Sequence, residues 1–415
     1  MNSLRRNTGL LLVSNIGSAV LSFVFSALIG RAFGDEGLGI YAVCMAWIYP
    51  LSLLVEFGIG TLMTRDLAQN PSLIVPMLRS AIIARLIFGT AAFAFILVAA
   101  PVLTDDPRVV IGLHISAPMV LILPLFSTFT AVLRARDLML PIPFLNIGMI
   151  AAQVIMTMLA LVNGGGFVGV LVANVVSSAL QLVGAYWVYR HYFTQSSVHN
   201  AYPWVMLIRR SWHFALAALF AALQLRLSTI LLESLSTTRD VGLFYAASRF
   251  VEAARLFPNA FFGAFFPLLA SVAADSSLLK RTFRRAMLAL GGFGLLSGIG
   301  LTLTAAPLIA LVFGDTFSAA VPVLVVLGWS LIGHLLRGGR TLYWYALKRE
   351  RLVNAVNGVA ILGQLVLSLW LIPSYGAVGA ALVQVIVELA AFSLLWVWRP
   401  SKTYSDYRQP LYEIS

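Results

Sequence analysis

Three charged residues are evenly spaced within an otherwise apolar stretch of this sequence. Arg249, Glu252 and Arg255 follow one another at intervals of three residues, a spacing that places them on one face of an α-helix, about 120° wide. Guanidinium groups form charge-assisted, often bidentate hydrogen bonds with carboxylates and phosphates. Two arginines and one acid leave net positive charge, so this face favours contact with an anionic ligand. The alternative is an ion network that neutralises itself and ties helices together.

Further ionisable residues lie within or beside apolar stretches, where each charge costs about 2.5–3.5 kcal/mol to insert and rarely faces lipid. Arg226 lies roughly 22 Å along its helix from the predicted helix start, so it either adds to a cationic surface or extends to the outer headgroups. Arg337 and Arg340 either meet an anion at the inner mouth or serve as interfacial anchors. Glu56 and Glu388 are candidates for binding a coupling proton or sodium ion; the alternative is that each pairs with a neighbouring helix.

The elements that must position these residues are long apolar segments. Of the 415 residues, 60% are hydrophobic and 11% are charged, and the mean hydropathy is +0.91, whereas a soluble domain is about 25% charged. Blocks close to the ~20 residues that cross a bilayer recur without the alternation of strands, so each is predicted to be a helix. The blocks cover about 9–30, 38–62, 80–101, 109–133, 142–162, 167–189, 211–232, 241–273, 286–312, 318–339, 352–372 and 377–397. The predicted fold class is an all-α polytopic membrane protein with about 12 transmembrane helices.

Several other classes of protein are excluded by residue types that the chain lacks. The single cysteine, Cys44, cannot form an internal disulfide or a cysteine-rich metal site. No lysine follows a glycine, so there is no phosphate-binding P-loop. The net charge of +12 is of the kind that cytoplasmic membrane loops collect, and we predict no nucleic-acid partner. The first apolar block, 9–30, is longer than the about 7–15 residues of a signal-peptide core, so we predict that it is retained as a span.

The positions of the 28 lysines and arginines predict the orientation of the chain. Three lie within spans, and only Arg31, Arg108 and Arg239 are assigned to outer turns. The others, Arg85 among them, are assigned to cytoplasmic segments or to positions beside them. Because positive charge is retained on the cytoplasmic side of a membrane, this distribution predicts that both termini are cytoplasmic.

Two sets of six blocks flank a polar interval at 190–210, and short strings recur between the two sets. Residues 35–42 resemble 239–246, 133–136 resemble 347–350, and 166–169 resemble 376–379, at separations of 204, 214 and 210 residues. An even number of spans per half makes this a parallel repeat about an axis along the membrane normal, with a central cavity expected. The predicted domains are an N-terminal six-helix lobe at 1–190, a cytoplasmic linker at 191–210, a C-terminal six-helix lobe at 211–398 and a cytoplasmic tail at 399–415.

Three segments of the first half carry a family resemblance: IGRAFGDEGLGIY at 29–41, EFGIG at 56–60 and TRDLA at 64–68. Together they resemble the N-terminal signature of the polysaccharide biosynthesis (Wzx-type) flippases, in the superfamily of oligosaccharidyl-lipid and polysaccharide exporters that includes the MATE antiporters and the lipid II flippases. The basic turn at 134–136 and the glycine turns at 166–169 and 376–379 also resemble that family. The lipid II branch usually carries two extra helices, which this chain lacks.

The resemblance implies a transporter with no enzymatic activity and no resident cofactor. Its cargo would be an undecaprenyl-pyrophosphate-linked oligosaccharide (an O-antigen, capsule or exopolysaccharide unit), moved across the bacterial inner membrane by alternating access, with coupling to a proton or sodium gradient open. The expected partners are this lipid-linked glycan, membrane lipids and other polysaccharide-assembly proteins. The residues expected to contact the pyrophosphate in a cationic cavity are Arg226, Arg249, Glu252, Arg255, Arg337 and Arg340.

Two other functions are compatible with a polytopic chain. A MATE-like ion-coupled antiporter of small molecules would favour acidic and apolar cavity walls, whereas the arginines indicate an anionic cargo. A membrane-embedded polysaccharide-processing enzyme would carry large outer loops or a catalytic histidine motif. The predicted outer turns are short, and no histidine is followed five positions later by aspartate.

Overall fold

The computed structural model describes residues 2–193, 202–273 and 275–398. Every regular element in these ranges is helical, which confirms the all-α prediction. Part of the predicted linker at 191–210 and the whole predicted tail at 399–415 lie outside the described residues. The helices are α1 (Asn2–Glu56), α2 (Ile59–Gln69), α3 (Ile74–Leu103), α4 (Pro107–Ser116), α5 (Met119–Ala135), α6 (Pro141–Val162), α7 (Gly166–Tyr192), α8 (Trp204–Leu235), α9 (Thr238–Ser271), α10 (Ser276–Phe313), α11 (Ala320–Ala346) and α12 (Glu350–Val397).

Glycine divides two of these helices into separate membrane spans. Gly34 in α1 has φ 69° and Gly376 in α12 has φ 51°, conformations that a residue with a side chain rarely adopts. Among the described residues, nine helical stretches are long and apolar enough to cross a membrane, and the two that contain these glycines are 54 and 48 residues long. Each of those two is long enough for two spans. Together with α8, which is 32 residues long, they account for the twelve predicted spans.

Two of the predicted spans are interrupted. The span at 38–62 breaks at Phe57 and Gly58, between α1 and α2, and the span at 109–133 breaks at Pro118, between α4 and α5. The residues on both sides of each break are apolar, so hydropathy alone does not reveal it. Interrupted spans are typical of transporters, whose binding sites use the ends of half-helices.

The backbone repeats between the two halves of the chain. Gly166 and Gly376 are both at positive φ, 57° and 51°, at the separation of 210 residues that the sequence predicts. Asp137 and Lys348 also share a positive φ, 57° and 55°, and they are 211 residues apart. The basic turns therefore correspond at 211 residues and not at the predicted 214, because short basic strings match in more than one register. The parallel repeat is confirmed, with this one register corrected.

Two compact units each have their own apolar core. Among the described residues, the first unit comprises those up to Arg249 together with Pro307–Ala320, and the second comprises Phe250–Ala306 together with those from Val321 onward. In the first unit, buried side chains of α2, α3, α5 and α7 and of the start of α8 form one cluster. In the second unit, buried side chains of α9, α10, α11 and α12 form another. The predicted lobe boundaries remain a prediction.

Within the first unit, α1 and α9 meet backbone to backbone. A Cβ atom on Gly39 would collide with the carbonyl oxygen of Thr238, and one on Gly242 would collide with that of Asp35. Beside this contact, the Asp35 carboxylate accepts a hydrogen bond of 2.8 Å from Nε of Arg239. Small residues at a crossing allow helices to approach this closely, so the two glycines permit the contact and the ion pair adds to it.

We expect Gly39→Ala to destabilise the protein by about 1–3 kcal/mol, because added volume in a close-packed contact costs that much. The measurement is the melting temperature of the purified protein in detergent. Gly148→Ala in α6 is the matched control, because a Cβ there meets no atom within 4 Å and alanine favours a helix. Equal melting temperatures for the two variants would contradict the close contact of α1 with α9.

Candidate functional site

The predicted site residues are distributed over both compact units. Glu56, Arg226 and Arg249 belong to the first unit, and Glu252, Arg255, Arg337, Arg340 and Glu388 belong to the second. Because α9 is continuous over Thr238–Ser271, the three charged residues that it contributes share one face of that helix, as their spacing predicts.

Arg226 and Arg249 both lie over tyrosine rings in the first unit. The Arg226 guanidinium carbon lies 5.2 Å from the ring centroid of Tyr49, and that of Arg249 lies 4.3 Å from the ring centroid of Tyr245. Both arginines are half-buried, and each such contact contributes about 0.5–2 kcal/mol. α1, α8 and α9 thus supply a cluster of cations and tyrosines.

A row of buried polar side chains lies next to this cluster, and the sequence analysis did not identify it. Tyr41 of α1 and Gln153 of α6 are both buried, and the Gln153 amide donates to the Asn174 side chain of α7 at 2.9 Å. The ring of Tyr41 in turn makes an edge contact with Tyr245, with centroids 6.4 Å apart. The side-chain amides of Gln153 and Asn174 lie within two apolar predicted spans. They are the sequence signal that would have identified these residues, since a buried polar group requires a partner.

Arg255, a predicted site residue of the second unit, has N–H groups without hydrogen-bond acceptors. Its Nε and Nη2 atoms are buried and have no hydrogen-bond partner. The carboxylates of Glu388 and Glu252 are its electrostatic neighbours, while the Glu252 side chain is exposed. Because buried donors normally find acceptors, this guanidinium is suited to an anion that supplies them.

Glu388 of α12 is held by two side chains of α11. His334 Nδ1 lies 3.1 Å from one carboxylate oxygen, and Arg337 Nη1 donates to the other at 3.1 Å. Arg337 also donates from Nη2 to the Asn357 side chain at 2.7 Å. The structure therefore places the predicted coupling candidate Glu388 and the predicted phosphate contact Arg337 in one ion pair. A metal cation at Glu388 would have to compete with the guanidinium.

Arg340 of α11 is enclosed by aromatic rings of the second unit. Its guanidinium carbon lies 4.7–5.5 Å from four ring centroids, which belong to Phe283, Tyr343, Trp344 and Trp396. Its Nε donates to the backbone carbonyl of Leu395 at 3.1 Å. These contacts join α10, α11 and α12, so the geometry favours anchoring over phosphate contact for this residue.

Arg85 is a buried cation that the sequence analysis assigned to the cytoplasmic segments. The structure adds that Arg85 lies within α3 and is 0% exposed, while its side of the membrane remains a prediction. Its Nη2 lies 3.8 Å from a carboxylate oxygen of Glu56, so the second coupling candidate is also paired with an arginine. Position 85 is only a few residues inside the predicted span at 80–101, where a count of charges per loop does not separate interfacial residues from buried ones.

Arg108 joins two acidic side chains at the predicted outer end of the first unit. It donates to Glu36 at 2.6 Å and to Asp106 at 2.9 Å. Partial burial acts to raise the pKa of Asp106, but hydrogen bonds from the Arg108 side chain and backbone hold it below its ordinary value. These residues line a polar cleft of about 610 Å³. Nowhere in the described ranges do three His, Cys, Asp or Glu side chains converge to hold a metal ion.

Arg31, also assigned to an outer turn, caps a helix of the same unit. Its Nε donates to the Val312 carbonyl at 2.8 Å, and its Nη2 donates to the Leu311 carbonyl. The last carbonyls of a helix lack partners within that helix, and α10 ends at Phe313. Arg31 therefore satisfies the end of α10 and carries positive charge to its negative pole.

One known protein family matches more than half of the chain. A family described as "Polysaccharide biosynthesis protein" matches residues 4–273. A search of curated proteins gives no match to this sequence.

Solved structures share the fold of the chain at low sequence identity. The lipid II flippase MurJ in an inward closed conformation aligns with a TM-score of 0.75 at 14% identity, over 92% of this chain and 86% of that one. An inward-facing multidrug resistance MATE transporter of the MOP superfamily aligns with a TM-score of 0.76 at 14% identity, over 91% and 93%. The Vibrio cholerae MATE transporter VcmN in its bent form aligns with a TM-score of 0.61 at 16% identity, over 95% of each chain.

These likenesses establish a multi-pass membrane fold of the kind found in flippases and MATE transporters. The family match covers residues 4–273, which is more than half of the chain, and it agrees with the resemblance of the glycine-rich segments in the first half. The chain belongs to the polysaccharide biosynthesis protein family.

Proposed function

We propose that this protein is a flippase that moves an undecaprenyl-pyrophosphate-linked oligosaccharide across the bacterial inner membrane by alternating access, with both termini cytoplasmic. Membership of the polysaccharide biosynthesis family and a fold shared with a lipid II flippase support this proposal. The observation that carries it is the presence of guanidinium groups within membrane-spanning helices. Arg226, Arg249 and Arg255 are all half-buried, and Arg255 keeps buried N–H groups without acceptors.

The chemistry of the cargo explains why such groups are retained. A pyrophosphate carries several negative charges, and a charge in a medium of low dielectric is costly unless it is paired. Arginine stays protonated in proteins and offers a planar fork of donors that matches phosphate oxygens. Glu252 lies on the same face of α9 as Arg249 and Arg255, so in this proposal it competes with phosphate for them and assists release. Arg337 and Arg340 are retained as weaker candidates for contact at the inner mouth.

The proposal also includes the ion gradient that drives transport and the further partners of the protein. Glu56 and Glu388 are the candidates for coupling to a proton or sodium gradient, and at Glu388 either cation would have to break the ion pair of the carboxylate with Arg337. No resident cofactor and no catalytic residue is proposed. Membrane lipids and other polysaccharide-assembly proteins are the expected partners.

A MATE-like antiporter of small molecules is the second candidate, because MATE transporters share the fold. Selection of a cationic drug would require acidic or apolar contacts. The cations of α8 and α9 would repel such a cargo, so an anionic cargo is preferred.

Deletion of the gene should cause a lipid-linked oligosaccharide to accumulate on the cytoplasmic leaflet, because synthesis continues while export stops. The measurement is extraction of polyprenyl-linked glycans together with their accessibility to a probe on each side of inverted and right-side-out vesicles. Restoration by the wild-type gene is the control. Unchanged lipid-linked glycan with increased sensitivity to cationic compounds would favour the antiporter instead.

Arg249→Ala and Arg255→Ala should each reduce surface polysaccharide about 10- to 100-fold, the cost of losing a charge-assisted hydrogen bond, without lowering the amount of protein in the membrane. Arg→Lys at the same positions should give intermediate output, because lysine keeps the charge but loses the planar fork. The matched control is Arg281→Ala, which removes an exposed arginine near the start of α10. Wild-type glycan output from both site variants would refute the assignment of these arginines to the cargo.

A further inference from the structure

The break between α1 and α2 exposes the end of a helix inside the first unit. Phe57 and Gly58 both adopt positive φ, 51° and 66°, which stops α1 at Glu56 and restarts the chain as α2 at Ile59. α2 is 11 residues long and begins without a side-chain N-cap. The first amides of a helix have no partner within it and carry partial positive charge. This helix start therefore favours an anion.

Arg85 of α3 lies beside this helix start. It is fully buried, and its Nη1 donates to the Pro124 carbonyl and to the Thr128 hydroxyl of α5, which fixes the guanidinium in place. Its Nε and Nη2 atoms have no hydrogen-bond partner. Nη2 lies 3.8 Å from a carboxylate oxygen of Glu56, which is close enough to neutralise charge but too far for a hydrogen bond. The arginine thus has unused donors, and one of them, Nη2, lies beside the first turn of α2, 3.6 Å from where a Cβ atom on Gly60 would stand.

A carboxylate fills the space between this arginine and the helix start. Oε1 of Glu56 accepts a hydrogen bond of 2.8 Å from the Ser127 hydroxyl. A Cβ atom on Gly60, in the first turn of α2, would lie 2.7 Å from that oxygen, 3.0 Å from Ser127 Oγ and 3.6 Å from Arg85 Nη2. The space exists because residue 60 is glycine, and it holds an anion that the chain itself provides.

We propose that the start of α2, Arg85 and Ser127 form a binding subsite for a phosphate group, and that Glu56 occupies it as an internal anion until a phosphate displaces it. A phosphate oxygen accepts hydrogen bonds from the same donors as a carboxylate, and its tetrahedral geometry also reaches the Nε and Nη2 donors that Glu56 leaves unmet. The Glu56 side chain is 25% exposed, so it has room to leave, whereas Arg85 is held by α5. Arg85 opposes binding of a second cation here, so for Glu56 this role is an alternative to ion coupling.

The subsite rests on the proposed function only for the source of the phosphate, which is a polyprenyl pyrophosphate if the protein is a flippase. The test measures binding to the purified full-length protein in nanodiscs, with inorganic pyrophosphate and farnesyl pyrophosphate as separate probes. Farnesyl pyrophosphate binding that is about tenfold tighter or more and is weakened by Arg85→Gln supports the subsite and assigns it to a lipid headgroup. Equal affinities that are weakened by Arg85→Gln support the subsite and assign it to a free anion. Binding of neither probe overturns it.

Glu56→Gln should increase the affinity for both probes about tenfold, because the competing charge is removed and Arg85 is left uncompensated. Arg85→Gln should abolish the gain when the two changes are combined. Glu36→Gln is the matched control, because it neutralises a carboxylate paired with Arg108 at 2.6 Å in the predicted outer region. An equal gain from Glu36→Gln would attribute the effect to net charge and overturn the subsite.

Gly60→Ala tests the subsite independently of whether Glu56→Gln folds. Its methyl group would enter the subsite, so we expect a loss of probe affinity of about tenfold or more, while Gly148→Ala should bind as the wild type does. Unchanged affinity in Gly60→Ala would contradict the subsite. If these binding tests fail while the deletion strain accumulates lipid-linked glycan, the subsite alone is overturned. If the binding tests succeed while no lipid-linked glycan accumulates, the flippase assignment alone is overturned.

Discussion

An arginine side chain remains charged at physiological pH, so each one within an apolar helix requires acceptors supplied by other helices. Arg337 of α11 uses the Glu388 carboxylate and the Asn357 amide of α12. Arg340, one turn further along, uses a backbone carbonyl and a cage of aromatic rings. Arg85 of α3 uses a carbonyl and a hydroxyl of α5. In each case the need to satisfy one charge also joins two or more helices.

These arginines differ in whether all of their buried N–H groups have acceptors. Arg340 is surrounded by partners and has a structural explanation in its own unit. Arg255 and Arg85 keep buried N–H groups without acceptors, and each unmet buried donor costs about 1–3 kcal/mol. Sites that break a local rule of this kind are typical of functional positions, where a ligand removes the cost on binding. This difference, more than the presence of positive charge, makes these two arginines candidates for contact with an anionic ligand.

Glycine determines where the helices break and where they approach most closely. Gly34 and Gly376 divide two continuous segments into separate spans, and Gly58 opens the second span near its predicted inner end. Gly39 and Gly242 remove the side chains that would hold α1 and α9 apart. Non-helical backbone at membrane depth is tolerated where protein or water, and not lipid, surrounds it. Gly58, which lies outside a helix but within a predicted span, is buried by protein in this way.

The sequence by itself determined the membrane class, the number of spans, the parallel repeat and the common face of Arg249, Glu252 and Arg255. These are local properties, because apolar length and helical spacing are sufficient to define them. Only the tertiary structure decided which charges are paired: it buried Arg85, which charge counting had assigned to the cytoplasmic segments, and it paired Glu56 and Glu388 with arginines. The physical reason is that hydropathy averages over a window of one segment, whereas the partner of a buried charge comes from another helix, dozens of residues away in the chain.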